Sequence, residues 1–169
     1  KEGLFWDDLR APASGINPAG TVSPPAVNQN DGSLSFSKGN AICTWFQFPH
    51  GWAEGTQVVP HVHWSKATSA SGNVHWQVKT RWGNRGEVMP AFTSLTDGAE
   101  VSPGNQNTQD LQTLTTWPAV SGDGNEISSM LCVYLIRVND AADTYAGTVN
   151  MYEIDIHALF DSIGSRTES

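Results

Sequence analysis

The chain has 169 residues, of which 38% are hydrophobic and only 15% are charged, and its formal net charge is −8 at pH 7. The length fits one domain with a sizeable core. The chain is acidic and has no cluster of lysine and arginine residues, which argues against nucleic acid as a partner. It also has no apolar run of about 18 residues and no basic amphipathic helix, which argues against binding to a membrane.

The first 30 residues are rich in proline and glycine, which interrupt regular strand pairing. We therefore predict an irregular N-terminal arm over residues 1–30 that wraps over the domain or docks onto a neighbouring chain. Phe5 and Trp6 are too apolar to remain in water, so we expect them to anchor this arm.

From residue 31 onward, patterns typical of β-strands arrive at even spacing. The predicted strands are 33–37, 41–48, 57–64, 73–82, 91–95, 105–117, 127–138 and 145–159. About eight strands without a convincing helix predict an all-β, antiparallel β-sandwich over residues 31–160. A jelly roll is the first choice and an immunoglobulin-like sandwich is the alternative. A polar tail over 161–169 follows.

The two cysteines, Cys43 and Cys132, each lie inside an apolar run. We interpret them as buried thiols, because free cysteine behaves as a small hydrophobic residue. A disulfide between neighbouring strands stays open as the alternative, since spacing alone does not decide it.

Two histidines, His61 and His63, lie two residues apart in a β-rich run and therefore share one face of a strand. The favoured interpretation is structural: both histidines donate to backbone carbonyls, and the chain holds no metal or other cofactor. A second interpretation is a homotrimer in which one pair from each chain supplies six imidazoles to a single octahedral ion.

A third interpretation of His61 and His63 is a cupin-like metal enzyme, because their spacing from Gly55 matches the opening of the first cupin motif. That motif continues with a glutamate, and this chain has Ala67 and Thr68 in the corresponding region. His157 near the end of the chain supplies a third ligand only if the fold brings it close.

Acidic residues offer two weaker candidate sites. Strict alternation along 145–159 places Val149 and Met151 on one face with Glu153, Asp155 and His157, and a carboxylate pair on a strand suits a glycosidase. A solvated strand face is the favoured interpretation. Asn139, Asp140 and Asp143 have the oxygen ligands that calcium prefers, although an ordinary polar turn is favoured. No nucleophile elbow is present, so we predict no catalytic residue.

Seven tryptophans in a small acidic domain suggest carbohydrate binding through exposed indole rings. Trp52 and Trp117 adjoin loops and are the main candidates for sugar stacking, together with Trp6. The other strand tryptophans, Trp45, Trp76 and Trp82, lie at positions expected to point inward.

Several phrases of the sequence resemble a family of small, mostly uncharacterised proteins encoded in tailed-bacteriophage genomes. The phrases are FWDDLR at 5–10, INP at 16–18, PHGWAEG at 49–55, PHVHW at 60–64, DTY at 143–145 and EIDIH at 153–157. The resemblance implies a component of the virion, such as a capsid decoration protein, a head fibre or a tail-associated module. It brings no catalytic residue with it.

The leading hypothesis is a non-enzymatic structural protein of a bacteriophage virion, assembled in the bacterial cytoplasm. We expect a homotrimer that contacts other virion proteins, such as the major capsid protein or tail proteins. The alternatives are a receptor- or glycan-binding tail module and a cupin-like metal-dependent enzyme.

Overall fold

A computed structural model describes residues 3–16, 23–94, 96–97, 110–111 and 119–161. A single short 3-10 helix, Ala13–Gly15, is present in these ranges, and no helix there is long and apolar enough to cross a membrane. The strands in chain order are β1 (Phe5–Pro12), β2 (Ala26–Val27), β3 (Leu34–Phe36), β4 (Ala41–Gln47), β5 (Gly55–Lys66), β6 (Trp76–Gly83), β7 (Thr96–Asp97), β8 (Asp110–Leu111), β9 (Val120–Gly122), β10 (Met130–Arg137) and β11 (Val149–Phe160).

The strands form two antiparallel sheets, which confirms the predicted all-β sandwich. One sheet has four strands in the order β4-β10-β6-β7. The other has the order β2-β3-β11-β5-β8, with β1 also pairing with β11 and β9 also pairing with β5. In this second sheet β11 lies between β1 and β5, and that arrangement positions the site described below.

The core lies between the two sheets and is rich in aromatic rings. Trp76 of β6 packs edge-on against Phe36 of β3 at 5.1 Å and against Trp64 of β5 at 6.0 Å, and all three rings are fully buried. These contacts join strands of opposite sheets. The inward orientation expected for Trp76 and Trp82 is confirmed, because both are buried with Val78 on the face of β6 that meets this core.

The prediction of an irregular arm over residues 1–30 is wrong for Phe5–Pro12, which is β1. This strand pairs with β11 along its whole length, from Phe5 opposite Phe160 to Pro12 opposite Glu153. The proline density that suggested an arm is an average over 30 residues, and residues 5–11 contain no proline. Pro12 stands at the end of the strand, where a missing N–H is tolerated.

The strict alternation expected along β11 is also wrong, because the strand contains a β-bulge. Its pairing with β5 shifts register between Met151 and Glu153, so one extra residue is accommodated there. Val149 and Met151 therefore share the buried face with Ile154 and the apolar residues that follow in phase. Glu153 and the polar residues in phase with it face away from the core.

Other predicted elements shift or fall outside the described residues. No strand is present at 91–94, and the nearest one is β7 at Thr96–Asp97; β9 at Val120–Gly122 was not among the predicted strands. Of the strand predicted at 105–117, only Asp110–Leu111 is described. The predicted tail at 161–169 lies outside the described residues except for Asp161.

The two cysteines lie on neighbouring strands, β4 and β10, and are free thiols with their Sγ atoms 2.7 Å apart. Cys132 is buried as predicted, whereas Cys43 is only partly buried. A hydrogen bond from Cys132 and the nearby charges of Arg81 and Lys79 outweigh burial and lower the pKa of Cys43 to about 7.

Candidate functional site

The outward side of β1, β11 and β5 carries a cluster of charged and polar side chains, which we call the polar face. The register places Asp8 of β1 opposite His157 of β11, and places Asp155 of β11 opposite His61 of β5. Side chains directly opposite each other on neighbouring strands are within contact distance. The polar face consists of Asp8, Arg10, His61, His63, Glu153, Asp155 and His157.

Asp155 is the centre of the polar face and is only 2% exposed. His63 Nε2 donates to Asp155 Oδ2 at 2.9 Å, and His61 Nδ1 lies 3.0 Å from Asp155 Oδ1 in a less well aligned contact. Burial acts to raise the pKa of Asp155, but His61 and His63 outweigh it and hold that pKa below its ordinary value. The hydrogen bond to Asp155 in turn raises the pKa of His63.

These contacts correct the expected role of the histidine pair. The sequence analysis predicted that His61 and His63 donate to backbone carbonyls, whereas both contact the same buried carboxylate of Asp155. Their ring nitrogens therefore point to opposite oxygens of Asp155 rather than to one shared ion. The fold does bring His157 close, with its ring centroid 5.5 Å from that of His61.

The remaining polar side chains of this face form two further pairs. Arg10 Nε donates to Glu153 Oε1 at 2.7 Å, and His157 Nδ1 lies 2.8 Å from Asp8 Oδ1. Hydrogen bonding to Glu153 is the main cause that raises the pKa of Arg10. The interpretation of Glu153 and Asp155 as a solvated strand face is therefore wrong for Asp155, which is buried, while Glu153 is already paired with a cation.

The two aromatic residues predicted to anchor the N-terminus do so within the chain. Trp6 stacks on His157, with centroids 4.8 Å apart and planes 18° apart, and Phe5 stacks on Phe160 at 5.8 Å. Both rings nevertheless remain partly exposed, Trp6 at 49% and Phe5 at 38%. Trp6 and His157 also line a surface pocket of about 460 Å³ together with Gln57, Val59 and Ala119.

Two tryptophans have the opposite exposure from the one predicted. Trp52, a candidate for sugar stacking, is 2% exposed because it packs against Phe48 at 4.6 Å and Trp82 at 5.3 Å, so no sugar reaches its ring. Trp45, expected to point inward, is 43% exposed on β4. Trp117 lies outside the described residues.

The loop that suggested calcium has its carboxylates engaged by Arg137 and His75 of the same chain. Arg137 Nε donates to Asp143 Oδ2 at 2.7 Å, and the Nη2 group donates to Asp143 Oδ1 at 2.9 Å. Asp140 Oδ2 lies 3.0 Å from His75 Nδ1. Because these oxygens already have partners, the loop is a folded ion-pair network rather than a calcium site.

The sequence analysis missed Asp8 and Arg10 as members of the polar face. Both belong to the segment FWDDLRA, in which charged residues alternate with apolar ones from Asp8 to Ala11. That alternation is a strand signal, and it would have placed Asp8 and Arg10 on one face. The proline content of the surrounding residues concealed it.

A scan against models of protein families finds no match to this chain, and a search of curated proteins finds none. One matching solved structure is the CBM36-1 domain of a multidomain xylanase from the hindgut metagenome of Trinervitermes trinervoides, at 10% identity and a TM-score of 0.45, covering 89% of this chain and 96% of that one. Another is TmCBM61 in complex with beta-1,4-galactotriose, at 11% identity and a TM-score of 0.30, covering 93% and 88%. A chain of infectious bursal disease virus, Gt strain, matches at 8% identity and a TM-score of 0.34, covering 94% of this chain and 33% of that one. Similarity this distant carries no argument about function.

Proposed function

We propose that this chain is a non-enzymatic attachment module, a structural component of a tailed-bacteriophage virion that associates with copies of itself and with larger virion proteins. The observation that carries the proposal is that the edge strand β1 begins with exposed apolar residues. Leu4, Phe5 and Trp6 are consecutive and are 62%, 38% and 49% exposed. In the described part of the chain, β1 pairs with β11 on one side and with no strand on the other.

An open edge strand is a surface to which another strand can add, and proteins that stay monomeric usually block such edges with charges or proline. The second half of β1 is blocked in this way by Arg10 and Pro12. By contrast, the segment from Leu4 to Trp6 at the start of β1 is apolar and contains no charge or proline, which begin only with Asp7 and Asp8. This division favours a partner that covers the start of β1 through strand addition and aromatic contacts.

The absence of an enzymatic role is supported by the state of the carboxylates considered for catalysis. Glu153 is paired with Arg10, Asp155 with two histidines and Asp143 with Arg137. A general acid or base has to reach a substrate with its proton site available. Here each carboxylate is held by a partner within its own sheet or loop, which suits a rigid module.

The assignment to a virion is supported by the phrases that resemble tailed-phage proteins, FWDDLR and PHVHW among them. The net charge of −8 disfavours contact with packaged DNA and favours an outward-facing location. We expect the self-association to be trimeric, with the start of β1 at the contact between chains.

Light scattering coupled to size exclusion tests this self-association. The purified chain is expected at three times its 18.2 kDa mass, and Leu4→Ser is expected to shift the population toward the monomer because it removes exposed apolar area at the contact.

Val88→Ser is the matched control, because Val88 is an apolar residue that is 94% exposed and belongs to the loop after β6 rather than to β1. It should leave the mass unchanged. A strict monomer at every concentration, or a Leu4→Ser variant that assembles like the unmodified chain, would count against the proposed contact.

A further inference from the structure

Three neighbouring strands bring together two imidazoles and one carboxylate on the polar face. Asp8 comes from β1, His157 from β11 and His61 from β5. One ligand atom from each of these residues lies within 4.8 Å of the other two. Asp8 is directly opposite His157, and His61 is the diagonal neighbour of His157 across the β5–β11 pair.

His61 supplies a second, independent observation. This histidine is 6% exposed, and its Nε2 atom is buried without a hydrogen-bond partner among the described residues. A buried polar atom without a partner lowers stability, so such atoms are rare unless a ligand, ion or water completes them. Nδ1 of the same ring faces Asp155 at 3.0 Å, which leaves Nε2 as the atom available to a ligand.

We propose that Asp8, His61 and His157 bind a divalent transition-metal ion, with Zn²⁺ as the preferred ion. Two imidazole nitrogens and one carboxylate oxygen are the ligand types that Zn²⁺ takes in proteins, whereas Ca²⁺ and Mg²⁺ prefer oxygen ligands throughout. Ligand atoms at about 2.1 Å from a tetrahedral ion are about 3.4 Å apart. The three ligand atoms lie within 4.8 Å of one another, so binding an ion requires side-chain adjustment, which the 42% accessibility of the Asp8 side chain and the 26% accessibility of the His157 side chain permit.

The surroundings of the three ligands resemble those of metal sites in general. A carboxylate at the second nitrogen of a ligating histidine fixes the tautomer and the ring orientation, and Asp155 occupies this place beside His61. Trp6 stacks on His157 and restricts the rotation of that ring. The pocket beside Trp6 and His157 gives an ion and its water ligand a route from solvent.

The neighbouring group of His63, Glu153 and Asp155 has a similar composition but is a weaker candidate. Arg10 already lies 2.7 Å from Glu153, so a cation would have to displace a guanidinium. Asp155 is also buried and contacts both His61 and His63, so an ion bound to it would disturb a carboxylate that two imidazoles share. Residues of this second group therefore serve as controls for the first.

A bound ion would connect β1 to β11, its neighbour in the sheet, and to β5, the strand on the far side of β11. β1 is an edge strand near the N-terminus, and such strands separate from their sheets more readily than central ones. The proposed site is independent of the proposed virion role, since it concerns how the N-terminal strand is held.

The test is zinc binding by the full chain after treatment with EDTA and dialysis. Isothermal titration with ZnCl₂, together with elemental analysis, is expected to show one ion per chain and an increased melting temperature. Asp8→Asn and His157→Gln are each expected to weaken binding by about 10- to 100-fold or more. Asp8→Asn is the safest variant for folding, because its side chain is exposed and the substitution preserves its shape.

His63→Gln is the matched control and should bind zinc as the unmodified chain does. Asp155→Asn tests positioning, and it should weaken zinc binding by about 10- to 100-fold without changing the stoichiometry. The proposal is overturned if no zinc binds, if one ion binds per three chains, or if His63→Gln abolishes binding while Asp8→Asn and His157→Gln do not.

Discussion

Replacing Arg137 with methionine is expected to reduce the free energy of unfolding by about 3–5 kcal/mol, because it leaves the buried charge of Asp143 without its main partner. Arg137 is fully buried, and its guanidinium donates to both oxygens of Asp143. It also donates to the backbone carbonyls of Phe36, Tyr145 and Gly147. The substitution removes all of these hydrogen bonds together and leaves three backbone carbonyls without the donor that the guanidinium supplied.

Urea denaturation of Arg137→Met and of the unmodified chain measures this difference. The double variant Arg137→Met with Asp143→Leu is the control, because removing both charges avoids the unpaired carboxylate and should recover part of the loss. Lys38 Nζ, 3.4 Å from Asp143 Oδ1, remains in the single variant and offsets some of the cost. A loss below about 1 kcal/mol would contradict the importance given to this network.

Gly122→Ala is expected to destabilise the fold by about 3 kcal/mol, because the added methyl group has no space. Gly122 lies in β9 opposite Gly55 of β5, and a Cβ atom there would stand 2.1 Å from the carbonyl oxygen of Thr56 and 2.9 Å from the ring of Trp52. The nearest of these atoms belongs to the backbone, so a side-chain rotation does not relieve the overlap. The strand would have to move away from β5.

Thermal and urea unfolding of this variant should be compared with Gly15→Ala. Gly15 has no atom within 4 Å of an added Cβ and has no positive φ angle, so its substitution should change the free energy of unfolding by less than about 0.5 kcal/mol. Equal stability of the two variants would show that β9 does not pack on β5 and Trp52 as described.

The parts of the fold that depend on local pattern were predictable from the sequence. Alternation along 73–82 placed Trp76 and Trp82 on the buried face of β6, and both are buried. The same reasoning failed for β11, because a bulge between Met151 and Glu153 adds one residue to the strand. The residues before the bulge therefore lie on the opposite face of the sheet from the one that strict alternation predicts. Nothing in the local sequence marks that position as a bulge.

The candidate site was less predictable because its members are distant in sequence. His157 and Asp8 are 149 positions apart, and they meet only because β1 pairs with β11 in one particular register. His61 was singled out by its spacing from His63, yet the two residues that complete its proposed metal site, Asp8 and His157, come from other strands. Strand order and register decide such contacts, and a single sequence does not specify them.

Quantitative mass spectrometry of gradient-purified tailed-phage particles whose genome encodes this chain tests the central claim most directly. An attachment module of the virion is expected in the particles at a fixed ratio to the major capsid protein or to a tail protein, and it should remain after washing with salt if apolar contacts at the start of β1 hold it. Particles that lack the chain, from a lysate in which it is abundant, would contradict the claim.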